Sequence, residues 1–304
     1  MDWDDYEKSW DFSKHPLLKY SNNKSIKSAY LDYLNINKNR IEEAKKLEEK
    51  LNEIFIEIYN LDGVLTPDIE DNEISMKEIS ERDTIISLIS YIVGCMFGRF
   101  ALNEETLIDK DNVIPISDDY DLFYEDNILT YLKNIVQTLF GSEELDNNLN
   151  YIADIIGRKG TETYQDTIKK YFLNNFIDDH NKDYQKRPIY WMIDSGKKNG
   201  FKCMFYIHRY NEQIMSNIRV NYLHTTQNYY ENKLNEYNYR ISDDSIADKK
   251  SIQLSINEIK NKIIECNNLD EKLAHYANKN IKLDFDAGIK NNYDLFKDIL
   301  SKIK

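Results

Sequence analysis

Residues that stop a helix are scarce in this chain: nine glycines and four prolines are spread over 304 residues. Turns must therefore be few and elements long, and with abundant Leu, Ile, Glu, Lys and Asn this predicts a mostly helical protein. The apolar fraction, 41 %, is enough to build a core, and the length suits one large domain or two ordinary ones.

Periodicity places the helices. Across residues 28–60, Ile41, Ala44, Leu47, Leu51, Ile54, Phe55 and Ile58 recur at spacings of three and four, one apolar stripe that ends at LDGVLTP with Gly63 and Pro67. Residues 83–100, containing IISLISYIVGCMFGRF, are apolar nearly all round and predict a buried helix. Its Ile85, Ile89, Ile92, Val93, Met96 and Phe97 are expected to pack against that stripe. Gly94 and Gly98 offer room for a second helix to approach. Further helices are expected near 121–140, 143–157, 161–178, 212–240 and 245–280, with Asn291 or Asn292 capping a short last one. Pro115 confines the extended DNVIPISDD (111–119) to a sheet edge or a loop. No run approaches the ~18 apolar residues of a membrane span.

One island breaks the helical rhythm. KRPIYWMIDSGKKNGFKCMFYIHRYN (186–211) holds two β-prone runs, Ile189–Ile193 and Phe201–Ile207, around the turn Ser195–Gly200. The predicted fold is thus a mostly α multi-helix bundle with a small antiparallel β-hairpin insertion. Three parts are expected: an extended aromatic segment (1–27), an acidic helical domain (28–180), and the basic hairpin with long C-terminal helices (181–304). Alternation on the second strand sets Lys202, Met204 and Tyr206 on one face and Cys203, Phe205 and Ile207 on the other, the second set being the better core.

Charge divides along the chain. Residues 1–150 carry 32 acidic against 15 basic residues, a net of −17; residues 151–304 carry 21 against 25, a net of +4. Such asymmetry marks a basic working face beside an acidic one, or simply charged helices that keep the protein dispersed.

Several chemistries are missing. No glycine pattern forms a phosphate-cradling loop, and SGKKNGFK reads as a hairpin turn. His15, His180, His208, His224 and His275 are scattered, and no cysteine has a second Cys or His at metal-ligand spacing. Cys203 and His208 stand an odd number of residues apart, on opposite faces of a strand, so they form no dyad. Three distant cysteines, Cys95, Cys203 and Cys266, suit a reducing cytoplasm.

Separate phrases resemble the C-terminal part of one family: the PglX adenine-specific DNA methyltransferases of BREX phage-defence systems, relatives of type IIG restriction–modification enzymes. They are SWDFSKHPLL (9–18), LNEIFIEIYNLDGVLTP (51–67), ISLISYIVGCMFGRFAL (86–102), DNVIPISDD, the hairpin island and LDFDAGIKNN (283–292), in the family's order. The resemblance implies an enzyme that flips adenine against an Asn-Pro-Pro-Tyr loop beside a glycine-containing S-adenosylmethionine site. Neither loop is here: Pro16, Pro67, Pro115 and Pro188 are never adjacent. The chain therefore resembles the non-catalytic portion, is expected to be inactive alone, and would leave S-adenosylmethionine to the catalytic domain it lacks.

Its implied partners are duplex DNA and that catalytic domain, with no membrane. Lys186, Arg187, Lys197, Lys198, His208, Arg209, Asn211 and Arg219 are the candidate DNA-binding residues, cations for phosphate or guanine and Asn for adenine. Tyr190, Trp191, Phe205 and Tyr206 read either as stacking residues or as a core with a basic fringe. The alternative role is a helical scaffold that docks the methyltransferase core or other defence-system proteins.

Overall fold

The computed structural model describes residues 3–303 except 103–110, 118, 120, 124–125 and 243–248. The first residues of the helices expected at 121–140 and 245–280 thus fall partly outside the described residues. A short helix α1 (Pro16–Lys19) precedes the long α2 (Ile26–Ile58), then α3 (Glu81–Met96), strand β1 (Ile114–Ile116), α4 (Ile128–Phe140), α5 (Leu145–Ile156), α6 (Tyr164–Asn174) and α7 (Phe176–Asp183). Strands β2 (Tyr190–Asp194) and β3 (Lys202–Tyr206) follow. Then α8 (Ile214–Asn217) runs through a π-helical turn (Ile218–Leu223) into α9 (His224–Ser242), and α10 (Lys249–Lys279) and α11 (Ile289–Asp294) close the chain. The fold is mostly α with one small antiparallel sheet, as the sequence predicts.

Two compact units emerge: residues 1–91 with 136–157, and residues 92–135 with 158–304. In the first, Pro16 stands at the first position of α1 while His15 caps it by accepting the Leu17 N–H on Nδ1, so the His-Pro pair starts a helix. Ser25 caps α2. The aromatic N-terminus is tied down by the buried Asp5, whose carboxylate accepts from Tyr20 Oη at 2.7 Å, Arg40 Nη1 at 2.7 Å and Lys19 Nζ at 3.2 Å. Arg40 also donates to Tyr20, whose ring stacks on Tyr33. Asn148 of α5 bridges the entry to α2, accepting from the Ile26 N–H and donating to the Lys24 carbonyl.

The expected partner of the 83–100 helix is not the one observed. Ile85, Ile89, Ile92, Val93 and Phe97 are buried and Met96 is half-buried, but the stripe on α2 lies exposed from Leu47 to Ile58. The buried face of α2 is instead its N-terminal half, Ile26, Ala29, Tyr30, Tyr33 and Asn37, joined only by Ile56 near the other end. A helix of 33 residues is a rod of about 50 Å at 1.5 Å per residue, and most of its C-terminal half outruns the core. Gly94 does allow a close approach, but by the Phe100 ring and Tyr190 Oη rather than a helix.

The second unit is organised around the sheet, in the order β1-β3-β2 with both pairings antiparallel. Pro115 sits on the edge strand β1, where its missing N–H costs nothing. The outer edge of β2 is covered by the chain's end: Asp194 N–H donates to the Ile299 carbonyl and Ser301 N–H to the Met192 carbonyl. Both faces of central β3 are closed, so alternation does not separate inside from outside. Lys202, Cys203, Met204 and Phe205 are all buried and Tyr206 is half-buried. Lys202 is tolerated because its ammonium donates to the Leu173 carbonyl at 2.7 Å and pairs with Asp194 at 3.2 Å. Trp191 is wholly buried among Phe205, Tyr293 and Phe296 and donates its indole N–H to the Pro188 carbonyl.

Two helix boundaries depart from expectation. The 161–178 helix is interrupted at Asn175. The final helix is capped by Gly288, and Asn292 lies within it, bonding the Asp284 N–H and the Gly288 carbonyl. Trp191→Ala should cost about 3–5 kcal/mol in urea unfolding, whereas Leu51→Ser on the exposed stripe should change stability by no more than about 0.5 kcal/mol. Equal costs would place the stripe in the core.

Candidate nucleic-acid interface

The hairpin turn has a local reason for each of its glycines. Ser195 N–H donates to the Phe201 carbonyl at 3.0 Å, and Phe201 N–H returns to Ser195 Oγ at 2.8 Å. Gly196 has φ +145°, which L side chains rarely adopt, and a Cβ there would stand 2.5 Å from Glu265 Oε1. At Gly200 a Cβ would stand 2.7 Å from the Lys262 carbonyl oxygen, so only glycine lets the turn lie against α10. Into this turn α10 inserts Glu265. Its carboxylate accepts from Lys198 N–H at 2.8 Å, Gly200 N–H at 3.1 Å and Ser195 Oγ at 3.3 Å. The turn does form a small anion-binding cradle, and the protein's own carboxylate fills it.

The opposite end of the hairpin is set by His180 of α7. Its Nε2 accepts the backbone N–H groups of Ile189 at 3.1 Å and Tyr190 at 3.2 Å, holding the chain where it enters β2. Burial, with the nearby Arg99 charge adding to it, lowers the His180 pKa to about 3, so the ring is neutral and able to accept. The loop between them turns through left-handed backbone at Gln185 and Lys186, φ 51° and 62°. Lys186 N–H is anchored on the Asn181 carbonyl at 2.7 Å.

These elements distribute the eight candidates unevenly. Lys186 and Arg187 are exposed at the entry to β2; Lys197 and Lys198 are exposed on the turn at its far end. None of the four makes an ion pair with a described residue. The two pairs are separated by the five residues of β2, about 17 Å at the usual rise, and so do not form a single cluster. His208 and Arg209 follow β3 at the same end as Lys186. The His208 ring is exposed but stacked on Phe285, and burial together with the Arg99 charge lowers its pKa. Arg209 is half-buried and donates to the Phe97 carbonyl at 3.1 Å. Asn211 is exposed, with Oδ1 accepting the Gln213 N–H. Arg219 is committed internally: its guanidinium forks onto Asp270 at 2.8 and 3.0 Å, and His224 Nε2 meets the same carboxylate at 2.9 Å. Burial pushes the Asp270 pKa up, but these hydrogen bonds and charges outweigh it and hold the carboxyl below its usual range.

The aromatics of the island are core. Tyr190, Trp191 and Phe205 are fully buried, and Tyr206, like Tyr210, is half-buried. Cys203 is enclosed, and burial drives its thiol pKa far up; Cys266 is pushed up to about 12 by burial and the adjacent Glu265. No group of three or more His, Cys, Asp or Glu among the described residues could hold a metal ion. The residues that organise the site, His180, Glu265 and Asp270, were not singled out from sequence.

Comparison with known proteins follows the same regions. The adenine-specific methyltransferase PglX of Lacticaseibacillus casei (strain Zhang) is 34 % identical over 315 residues, covering 96 % of this chain and 26 % of the relative. The adenine-specific methyltransferase BrxX of Escherichia coli O9:H4 (strain HS) is 31 % identical over 346 residues, covering the whole chain and 28 % of the relative. Over almost its entire length, the chain matches one region of the PglX and BrxX methyltransferases. It spans about a quarter of the length of these curated relatives. No family model matches it. Among the described residues, no helix is long and apolar enough to cross a membrane.

The neutral His180 makes a pH prediction. Its folded pKa, about 3, lies below the unfolded value near 6.5, so its stabilisation is complete above that value and is lost as pH falls toward 3. His180→Gln, which cannot titrate, should be less stable than the parent at pH 7.5, and the gap between their urea midpoints should narrow by pH 5. A gap that stays constant would contradict the assignment.

Proposed function

We propose that this chain is a non-catalytic, DNA-engaging portion of a site-specific adenine methyltransferase of the BREX phage-defence type, serving to clamp or read the duplex. The observation that carries the reading is the match along nearly the whole chain to two adenine-specific methyltransferases. It is joined to the absence from the sequence of both an Asn-Pro-Pro-Tyr loop and a glycine-rich cofactor loop. Base flipping and methyl transfer then belong to the C-terminal portion's larger partner region, which holds S-adenosylmethionine, while this portion supplies grip.

The geometry refines how grip would work. Lys186 with Arg187 and Lys197 with Lys198 are two exposed cation pairs beyond opposite ends of β2, a strand of five residues and thus about 17 Å long, longer than the ~12 Å width of the major groove. They suit phosphates on opposite walls of a groove better than neighbouring phosphates of one strand. Asn211 is exposed and is the candidate whose amide suits an adenine edge, whereas the cations suit phosphate or guanine. Arg219 belongs to the structure of α9 and α10.

Replacing Lys186, Arg187, Lys197 and Lys198 together by Ala should weaken duplex binding and flatten the plot of log affinity against log salt by roughly 0.9 unit per lost phosphate contact. Each pair replaced alone should give about half that change. Fluorescence anisotropy across a salt series reads both. An unaltered slope in the quadruple variant would remove DNA clamping by these residues, and methyl transfer by the chain alone would remove the non-catalytic reading.

A further inference from the structure

The exposed stripe of α2 has the form of a docking seam. Leu47, Leu51, Ile54, Phe55 and Ile58 follow spacings of four, three, one and three, and each is between 45 % and 63 % exposed. This is the pattern that a helix presents to another helix. The other flank of α2 is already occupied by the following loop. Asn52 donates to the Pro67 carbonyl, Glu49 accepts the Ile69 N–H, Glu48 accepts the Ser75 N–H, and Lys45 pairs with Asp71 at 2.6 Å. The loop holds that flank and leaves the seam outward. At its C-terminal end the seam opens into a pocket of about 240 Å³ lined by Phe55, Ile56, Tyr59, Leu61 and Leu65 with the polar Asn52 and Thr66 at its margin, a receptacle for one large side chain that is mostly apolar. Val64 and Leu65, largely exposed, extend the apolar surface beyond it. A contiguous patch of this kind on a helix marks an interaction surface.

Charge selects the occupant. Residues 41–73 hold eleven Asp and Glu against three Lys, a net of −8. Toward the C-terminal end of α2 and just beyond it, Glu53, Glu57 and Asp62 are exposed, the last turn of α2 has no basic residue, and the helix C-terminus adds its own partial negative charge. A second copy of this chain would bring another segment of −8 against the first, and an anionic lipid surface would be repelled likewise. We propose that this seam and pocket receive an amphipathic helix with an apolar ridge flanked by Lys and Arg, supplied by the larger part of the methyltransferase polypeptide. The inference rests on the reading of the chain as one portion of such a protein, whose relatives are about four times as long.

The experiment uses the full chain and peptides tiling the remaining length of the Lacticaseibacillus casei relative. Labelled wild-type chain and the Leu51→Ser/Phe55→Ser variant are applied to the peptide array, and selected peptides are measured by anisotropy. The expected binders are amphipathic segments flanked by Lys or Arg. Binding should fall by roughly tenfold or more in the variant, as for loss of central apolar anchors, and also in Glu53→Gln/Glu57→Gln. Circular dichroism should show helix content unchanged in both variants. Absence of binders, or binders held equally by the serine variant, would overturn the proposal. So would sedimentation of the wild-type chain as a dimer that the serine variant abolishes, because the occupant would then be a second copy. Duplex binding and its salt slope should be the same in wild type and in the serine variant, so failure of the docking seam and failure of the DNA reading are separately visible.

Discussion

The second unit depends on how α10 is fastened. Two carboxylates five residues apart on that helix hold two different parts of the chain. Glu265 accepts the amides of the hairpin turn, and Asp270 accepts the Arg219 guanidinium and the His224 ring where the π-helical turn meets α9. Between and beyond them the apolar face of α10, Ile252, Ile259, Cys266 and Leu273 at seven-residue intervals with Leu269 and Tyr276, is buried. Its partner α9 runs antiparallel to it, since Arg219 meets Asp270, Gln227 meets Asn267 and Tyr230 lies under Lys262. A long helix thus acts as a strut that fixes the turn lysines in space. Glu265 adds to the turn's own Ser195–Phe201 hydrogen bonds an anchor on α10 for the amides of Lys198 and Gly200.

This arrangement changes the meaning of the basic island. The basic residues adjacent in sequence are divided between the two ends of the hairpin. The five residues of β2 carry Lys186 and Arg187 to one end and leave Lys197 and Lys198 at the other. The strands between offer little to a ligand, because β3 is paired on both edges and buried on both faces. The lone polar intrusion, Lys202, is consumed by Asp194 and the Leu173 carbonyl. What remains accessible is charge at the two ends of the hairpin.

Features determined by neighbouring residues were legible in the sequence. Pro115 does place β1 at an edge, the Ser-Gly-Lys-Lys-Asn-Gly turn does join two strands, and the scarcity of Gly and Pro does give long helices. Features determined by distant residues were not. The stripe on α2 is periodic whether or not anything covers it, so periodicity alone could not tell a core face from an exposed one. Arg219 looked like an available cation because its partner Asp270 lies 51 residues away. The interruption at Asn175 has no Gly or Pro to signal it, and the second edge partner of β3 is β1, far earlier in the chain.

The two surfaces left open obey different physics. Four lysine and arginine side chains in water attract phosphate through counterion release, an effect that decays steeply as salt rises. An apolar seam on α2 associates by removing hydrocarbon from water, and its core contribution is nearly indifferent to salt or strengthened by it. Only the acidic rim of the seam, Glu53, Glu57 and Asp62, is subject to screening. Raising salt would weaken phosphate contacts at the four cations while leaving an occupied apolar seam in place, so the two proposed contacts are distinguished by opposite responses to ionic strength.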